Sequence, residues 1–180
     1  MDDKDLEFIE RFKNGDLEGF EMLVKKYHTR VITIANSFVG NTSDAEDIAQ
    51  ETFLKIYLTL ESFKAQAKFS SWLYRITVNT AYDHLRKNKH KPLSLDEIDY
   101  SAISDNKNRE DLVAKEAMQE ALNKIPFDFR SALTLKEIEG LSYQEIAEAL
   151  KISIGTVESR IFRARQMLKK LLTQKEADKK

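Results

Sequence analysis

Thr156, Ser159, Arg163, Gln166 and Lys170 recur at three- and four-residue steps, with Arg160 at the margin of the same stripe. On a helix this spacing gathers hydroxyls, a guanidinium, an amide and an ammonium on one side. Ile154, Val157, Ile161, Ala164, Leu168 and Leu171 fall on the other, which is therefore expected to be buried. Such donors suit nucleic acid, since Arg can grip guanine through two parallel bonds and Ser or Thr can bond a base edge or a phosphate. The plainer alternative is the solvated face of an ordinary surface helix. The residues in front favour the former. Ser142 and Glu145 have the spacing of a capping box, Ile146, Ala147 and Leu150 form a short apolar stripe, and Ser153 can cap the basic helix. A capped short helix, a tight break and a longer basic helix make a helix-turn-helix, whose second helix enters the major groove. Lys151 is a departure, because that turn often uses Gly to reach positive φ.

A second group of polar and aromatic residues suggests single strands. Trp72, Arg75, Asn79, Tyr82 and Arg86 recur at helical steps, and the preceding loop adds Phe63, Lys64, Lys68 and Phe69. Unstacked bases need a π-face and phosphates need a cation, so aromatics among bases fit single-stranded nucleic acid. Taken singly, Trp72, Leu73, Ile76 and Val78 fit a core equally well. A third group is acidic: Asp44, Glu46, Asp47, Gln50 and Glu51 crowd one helix start. The macrodipole accounts for Asp44 and Glu46. Asp47, Gln50 and Glu51 are left for a protein-binding face.

Nothing resembles a catalytic centre. His28, His84 and His90 are scattered, no HExxH occurs, and the five glycines form no phosphate loop, so neither an enzyme, a metal site nor a cofactor is expected. The absence of cysteine rules out disulfides and thiolate metal sites. The N-terminus MDDKDLEFIE is acidic where a signal peptide is basic, and no apolar run approaches the roughly 20 residues that cross a bilayer, so a cytoplasmic protein without membrane insertion is expected. Net charge is −1, yet bases cluster at Arg86–Lys91 and Arg160–Lys170 and acids at Asp44–Glu51 and Asp96–Asp111. Segregated charge predicts separate partners for separate faces.

These groups must be held by helices, because the apolar spacing is helical nearly throughout. Helices are predicted over Asp5–Phe12, over Leu17–Val39 with Gly40 as C-cap, and from a capping box at Ser43–Glu46 to about Phe63. Ser70 is expected to cap a helix reaching Asn88. After Pro92 the chain turns polar and acidic without sustained periodicity, which reads as a linker. Helices resume over Leu112–Ile125, stopped by Pro126, and over Asp128–Glu139, capped by Gly140. The expected fold is all-α: two small helical domains joined by a flexible linker, with a helix-turn-helix in the C-terminal one. A free-standing helix-turn-helix repressor or activator would satisfy much of this, but needs neither the acidic helix nor the aromatic-basic one.

The blocks DAEDIAQETFLKIY, FSSWLYRITVNTAYDHLRK, LTLKEIEGLSYQEIAEAL and GTVESRIFRARQMLKK resemble bacterial RNA polymerase sigma factors, specifically the compact extracytoplasmic-function (ECF) type of the sigma-70 family. The resemblance implies a region 2-like domain over 1–91 that binds core polymerase and recognises and melts the −10 element, a linker over 92–110, and a region 4-like domain over 111–175 that reads the −35 element. It implies that Asp47, Gln50 and Glu51 dock on the clamp helices of the largest polymerase subunit, with the flap as a further contact. It places Asn79 in a pocket for an extruded −10 base, Phe63 and Lys64 at its rim, and Trp72 and Arg86 on the same surface. For the −35 element it matches Ser159, Arg160, Arg163 and Arg165, beside Thr156. Glu158 stands where the family often has a base, and could accept from a cytosine amine or repel phosphate. Promoter DNA and core polymerase are the implied partners. Sigma factors of this type are often held by an anti-sigma factor, frequently membrane-anchored, though nothing in this chain identifies one.

Overall fold

The computed structural model describes residues 3–88 and 106–177, and among these there is no strand. Four helices form the first bundle: α1 (Asp3–Lys13), α2 (Leu17–Val39), α3 (Thr42–Thr59) and α4 (Phe69–Asn88), with a 3-10 turn at Leu60–Ser62. Four more form the second: α5 (Asn106–Asn123), α6 (Phe127–Glu137), α7 (Tyr143–Leu150) and α8 (Ile154–Ala177).

The helix ends follow from local hydrogen bonding. Asp16 caps α2 by accepting from Glu18 N–H at 3.0 Å. Gly40 ends it at φ 77°, left-handed backbone that glycine adopts without strain. The next helix is capped differently from the expected box at Ser43. Asn41 is its N-cap, accepting from Asp44 N–H at 2.8 Å, and Ser43 already lies inside α3. Asn41 wins because it is extended (φ −140°) directly after the Gly40 turn, where a cap must sit. Ser70 likewise lies within α4, which begins at Phe69.

The capping box of α7 is present as expected: Ser142 Oγ accepts from Glu145 N–H, and Ser142 N–H donates to a Glu145 carboxylate oxygen at 2.9 Å. Lys151 adopts φ 54°, so the turn takes its left-handed residue without glycine. Ser153 Oγ accepts from Thr156 N–H at 3.1 Å and caps α8.

The expected linker, 92–110, lies outside the described residues up to 105. Residues 106–110 are a correction, being helical within α5 where irregular chain and a start near Asp111 were expected. α6 spans Phe127–Glu137, offset from the predicted Asp128–Glu139, and Gly140 follows at φ 66°.

In the first bundle α2 packs between α1, α3 and α4, burying Leu23, Val31, Ile34, Ile48 and Leu73. α1 approaches α2 closely enough that a Cβ on Gly19 would collide with the Phe8 carbonyl. A buried Asp5 ties the pair, accepting from Lys26 Nζ at 2.6 Å and Tyr27 Oη at 2.7 Å. In the second bundle α6 and α7 cross α8 over Leu135, Ile146, Val157, Ile161 and Ala164. Ile154, expected on that buried side, is 47% exposed, at the first residue of the helix. The bundles also touch each other, α2 and α4 of the first meeting α5, α6 and α7 of the second.

Candidate nucleic-acid and polymerase interfaces

Three faces carry the candidate residues. On α3, Asp47 and Gln50 are exposed. Glu51 is half-buried and engaged, with Lys55 Nζ 2.8 Å from its carboxylate. That bond holds the Glu51 carboxyl below its usual range. Lys55 also donates to Thr80 Oγ1 at 3.1 Å, so the pair braces α3 on α4 as well as facing outward. Two residues absent from the sequence-based set complete this face. Leu54 is 57% and Leu58 71% exposed, at helical steps from Asp47 and Gln50. An acidic head with an apolar tail is what a protein partner covers. The signal was available: both leucines fall outside the buried stripe of α3.

The second face is the 63–68 loop and α4. Phe63 is buried at the loop base, its ring 5.9 Å from Phe69 and 5.1 Å from Trp72, while its carbonyl accepts from Lys13 Nζ at 2.7 Å. Lys64 is exposed, and Ala65 turns the chain at φ 54°. A cavity of about 270 Å³ opens here, lined by residues of the loop, Ser71, half-buried Trp72 and Arg75 from α4, and Glu148 from α7. Asn79 is exposed one turn farther along α4 and does not line it. Arg86 is exposed near the end of α4, its guanidinium 3.3 Å from Asp83. Tyr82, which sequence spacing puts on the same stripe, packs edge-on against Phe127 of α6 at 4.9 Å.

The third face is α8. Its arginines separate into different environments. Arg163 is exposed on the outward side, 5.9 Å from the Phe129 ring. Arg160 and Arg165 flank the helix in ion pairs with Asp128 at 2.9 Å and Glu137 at 2.6 Å, both from α6. Ser159 Oγ donates to Thr156 O at 3.0 Å, and the Thr156 and Ser153 hydroxyls lie 2.8 Å apart. Glu158 is exposed with no ion-pair partner among the described residues. Phe162, outside the stripe that sequence spacing picks out, is 65% exposed between Ser159, Arg163 and Gln166. An aromatic on the polar side of an amphipathic helix was the signal for it, and an apolar group there suits a thymine methyl.

Glu145 links the second and third faces. Its carboxylate accepts from Lys68 Nζ at 2.6 Å while completing the α7 capping box. The Lys68 bond, then the Ser142 bonds, hold its pKa down to about 2, below the unfolded 4.5. A lowered carboxylate pKa contributes stability above the unfolded value and loses it as pH falls through the folded one. Helical ellipticity of the second bundle should therefore weaken between pH 4.5 and 2, and Glu145→Gln should flatten that limb. An unchanged acid limb in the Gln variant would exclude Glu145 as its source.

Residues 23–91 match the family model for sigma-70 region 2, and residues 115–168 that for sigma-70, region 4. The RNA polymerase sigma-H factor of Pseudomonas aeruginosa is 37% identical over 183 residues, covering 94% of this chain and 94% of that protein. The ECF RNA polymerase sigma-E factor of Haemophilus influenzae is 36% identical over 176 residues, covering 91% and 93%. Among solved structures, CnrH in complex with the cytosolic domain of CnrY is similar at TM-score 0.74 and 27% identity, over 95% of this chain and 98% of that one. The sigma factor RpoE of Bartonella quintana, in complex with the anti-sigma factor NepR, is similar at 0.66 and 25%, over 86% and 96%.

Proposed function

We propose, on the premise that this chain belongs to the sigma-70 family and to its extracytoplasmic-function branch, that its three faces divide one task. The protein is a sigma factor: it binds core RNA polymerase and directs promoter-specific initiation, rather than acting as a free-standing repressor. The family is a non-catalytic one, and the chain works by binding. Among the described residues no helix is long and apolar enough to cross a membrane; its place of action is the cytoplasm, with polymerase.

In this reading residues 1–91 are the region 2 domain and 111–175 the region 4 domain. Asp47 and Gln50, with Glu51 held by Lys55 and with Leu54 and Leu58 beyond, dock on the clamp helices of the largest subunit. The flap is the corresponding contact of the second domain. The 63–68 loop, Trp72 and Asn79 take the melted −10 strand, with Lys64 and Arg86 on its phosphates and Phe63 as a buttress beneath the loop. Arg163, Ser159 and Phe162 meet base edges of the −35 duplex, Thr156 and Glu158 border them, and Arg160 and Arg165 exchange their α6 carboxylates for phosphate. An anti-sigma factor is a further partner, by likeness to the solved complex of RpoE with NepR. The observation that carries the whole is a single chain holding regions 2 and 4 in order, with the acidic-apolar face of α3 exposed. A net charge of −1 fits such a protein: tethering both DNA-reading domains to polymerase raises their effective concentration without general affinity for DNA.

The test is run-off transcription on a genomic library with core polymerase, with and without the protein. Specific transcripts should appear only with it. Arg163→Ala should keep co-migration with core yet weaken promoter binding by about 5- to 150-fold, the range of one base-reading Arg at about 1–3 kcal/mol. Loss of core binding in that variant would defeat the division of labour.

A further inference from the structure

We propose that Glu158 reads a cytosine in the upstream promoter duplex by accepting a hydrogen bond from its exocyclic N4 amine. It thereby sets which −35 sequences this protein selects. The proposal rests on the reading of α8 as the −35 reader.

The fold makes no use of this carboxylate. Glu158 is exposed, with no hydrogen bond or ion pair among the described residues. The ordinary reasons for an acid on a helix are missing around it. Ile154, Gly155, Ile161 and Phe162 stand three and four residues away, so no cation occupies a position where a helical ion pair forms. Glu158 is the fifth residue of α8, past the first turn in which the macrodipole favours acids. The nearby arginines are held by other carboxylates. Arg160 pairs with Asp128 at 2.9 Å, and Arg165 donates to Glu137 from Nε at 3.2 Å and from Nη2 at 2.6 Å.

The unused carboxylate lies where a recognition helix meets DNA, since the N-terminal residues of such a helix contact base edges. Helical spacing puts Glu158 on one flank with Gly155 before it and Phe162 after it. A Cβ on Gly155 would meet nothing within 4 Å, and its φ is not positive, so the fold does not require glycine there. The missing side chain leaves the helix open to close approach by a ligand. Phe162, 65% exposed, stands on the other side of the carboxylate as an apolar wall. A hydrogen bond to a charged acceptor strengthens where such a wall excludes water.

The chemistry of the bases then chooses the partner. An ionised carboxylate can only accept. In the major groove guanine shows the acceptors N7 and O6, and thymine shows the acceptor O4, so both repel it. Adenine offers its N6 amine, but N7 beside it faces the second carboxylate oxygen. Cytosine shows its N4 amine with no acceptor next to it. Repulsion of phosphates alone would act on every sequence alike, and it would leave the open flank at Gly155 and the exposed ring of Phe162 unused. A base contact uses both. Glu158 thus selects largely by penalising the wrong bases.

The test uses holoenzyme, core polymerase with the full-length protein, on a promoter from the run-off experiment whose −35 half is randomised; transcripts are sequenced and counted. Wild type should favour cytosine over guanine at one position by about 5- to 150-fold. Glu158→Ala should flatten that position and leave the Arg163-dependent one unchanged. Glu158→Gln should move the preference there to adenine, whose N6 and N7 match an amide. Replacing that cytosine by 2-pyrimidinone, which lacks the amine, should cost wild type most of its preference and Glu158→Ala little more, the coupling expected of a direct contact. Base preferences identical in wild type and Glu158→Ala would overturn the proposal. So would an equal rise in transcription from all sequences in that variant, the mark of phosphate repulsion alone. In both cases a surviving Arg163-dependent position would leave the −35 reading intact. If wild type shows no selectivity at any position of the randomised half, the −35 reading fails and the proposal falls with it.

Discussion

Asp47→Lys lowers affinity for core RNA polymerase by at least about 30-fold, the 2 kcal/mol that marks an interface hot spot, without changing the melting temperature of the free protein. The loss of affinity follows from position. Asp47 is exposed at the head of a face that continues through Gln50, Leu54 and Leu58, so its charge sits at the edge of an apolar contact where reversal both removes a partner and introduces repulsion. The unchanged stability follows from its surroundings: Asp47 makes no hydrogen bond or ion pair among the described residues, so no native contact is lost. Glu51→Lys gives a different result, because Glu51 is tied to Lys55 and through it to Thr80, and its loss affects stability as well as docking. Co-migration with core, measured beside Arg163→Ala, separates the cases. If Asp47→Lys and Arg163→Ala weakened core binding equally, the α3 face would not be the polymerase surface.

Phe69→Ala destabilises the first bundle by about 3–5 kcal/mol, the usual cost of emptying a buried aromatic site. Phe69 is 1% exposed and its ring meets Tyr27 at 5.5 Å, Phe63 at 5.9 Å and Trp72 at 5.8 Å. It is the floor of the 63–68 loop. Against a typical total stability of about 5–15 kcal/mol the loss is severe, and a fall in melting temperature of roughly 12 °C or more is expected. Below that temperature the variant should still co-migrate with core through α3 but fail to open promoters, because Phe63 and Trp72 lose their backing. Phe69→Leu keeps much of the volume and should retain most of the activity. A melting shift under about 2 °C in the Ala variant would show that the loop does not depend on this packing.

Much of this was legible in the sequence because it depends on neighbours in the chain. The capping box at Ser142–Glu145, the bounds of α2 and the Gly40 turn are set by residues within four positions of one another. Where two nearby groups compete, local reading is less certain: Asn41 and Ser43 can both cap a helix, and the extended backbone after Gly40 decided for Asn41. Exposed apolar residues were the systematic blind spot. Spacing sets Leu54, Leu58 and Phe162 outside the buried stripes, but only the packing of α3 and α8 shows that nothing among the described residues covers them.

By itself the sequence determined the all-helical class, the two sets of helices, the family, and which polar residues face outward on α3 and α8. Periodicity and capping are short-range and survive without knowledge of the fold. Only the tertiary structure decided the state of those residues. Arg160 and Arg165 are ion-paired to α6 while Arg163 is left exposed, Glu51 is engaged by Lys55, and Phe63 is buried beneath its loop. It alone brought Glu145 to Lys68, 77 residues away in the chain, and Glu139 to Tyr74, 65 away. Ion pairs and burial depend on which surfaces meet across the fold, and that is decided by the packing of whole helices rather than by the spacing of residues along any one of them.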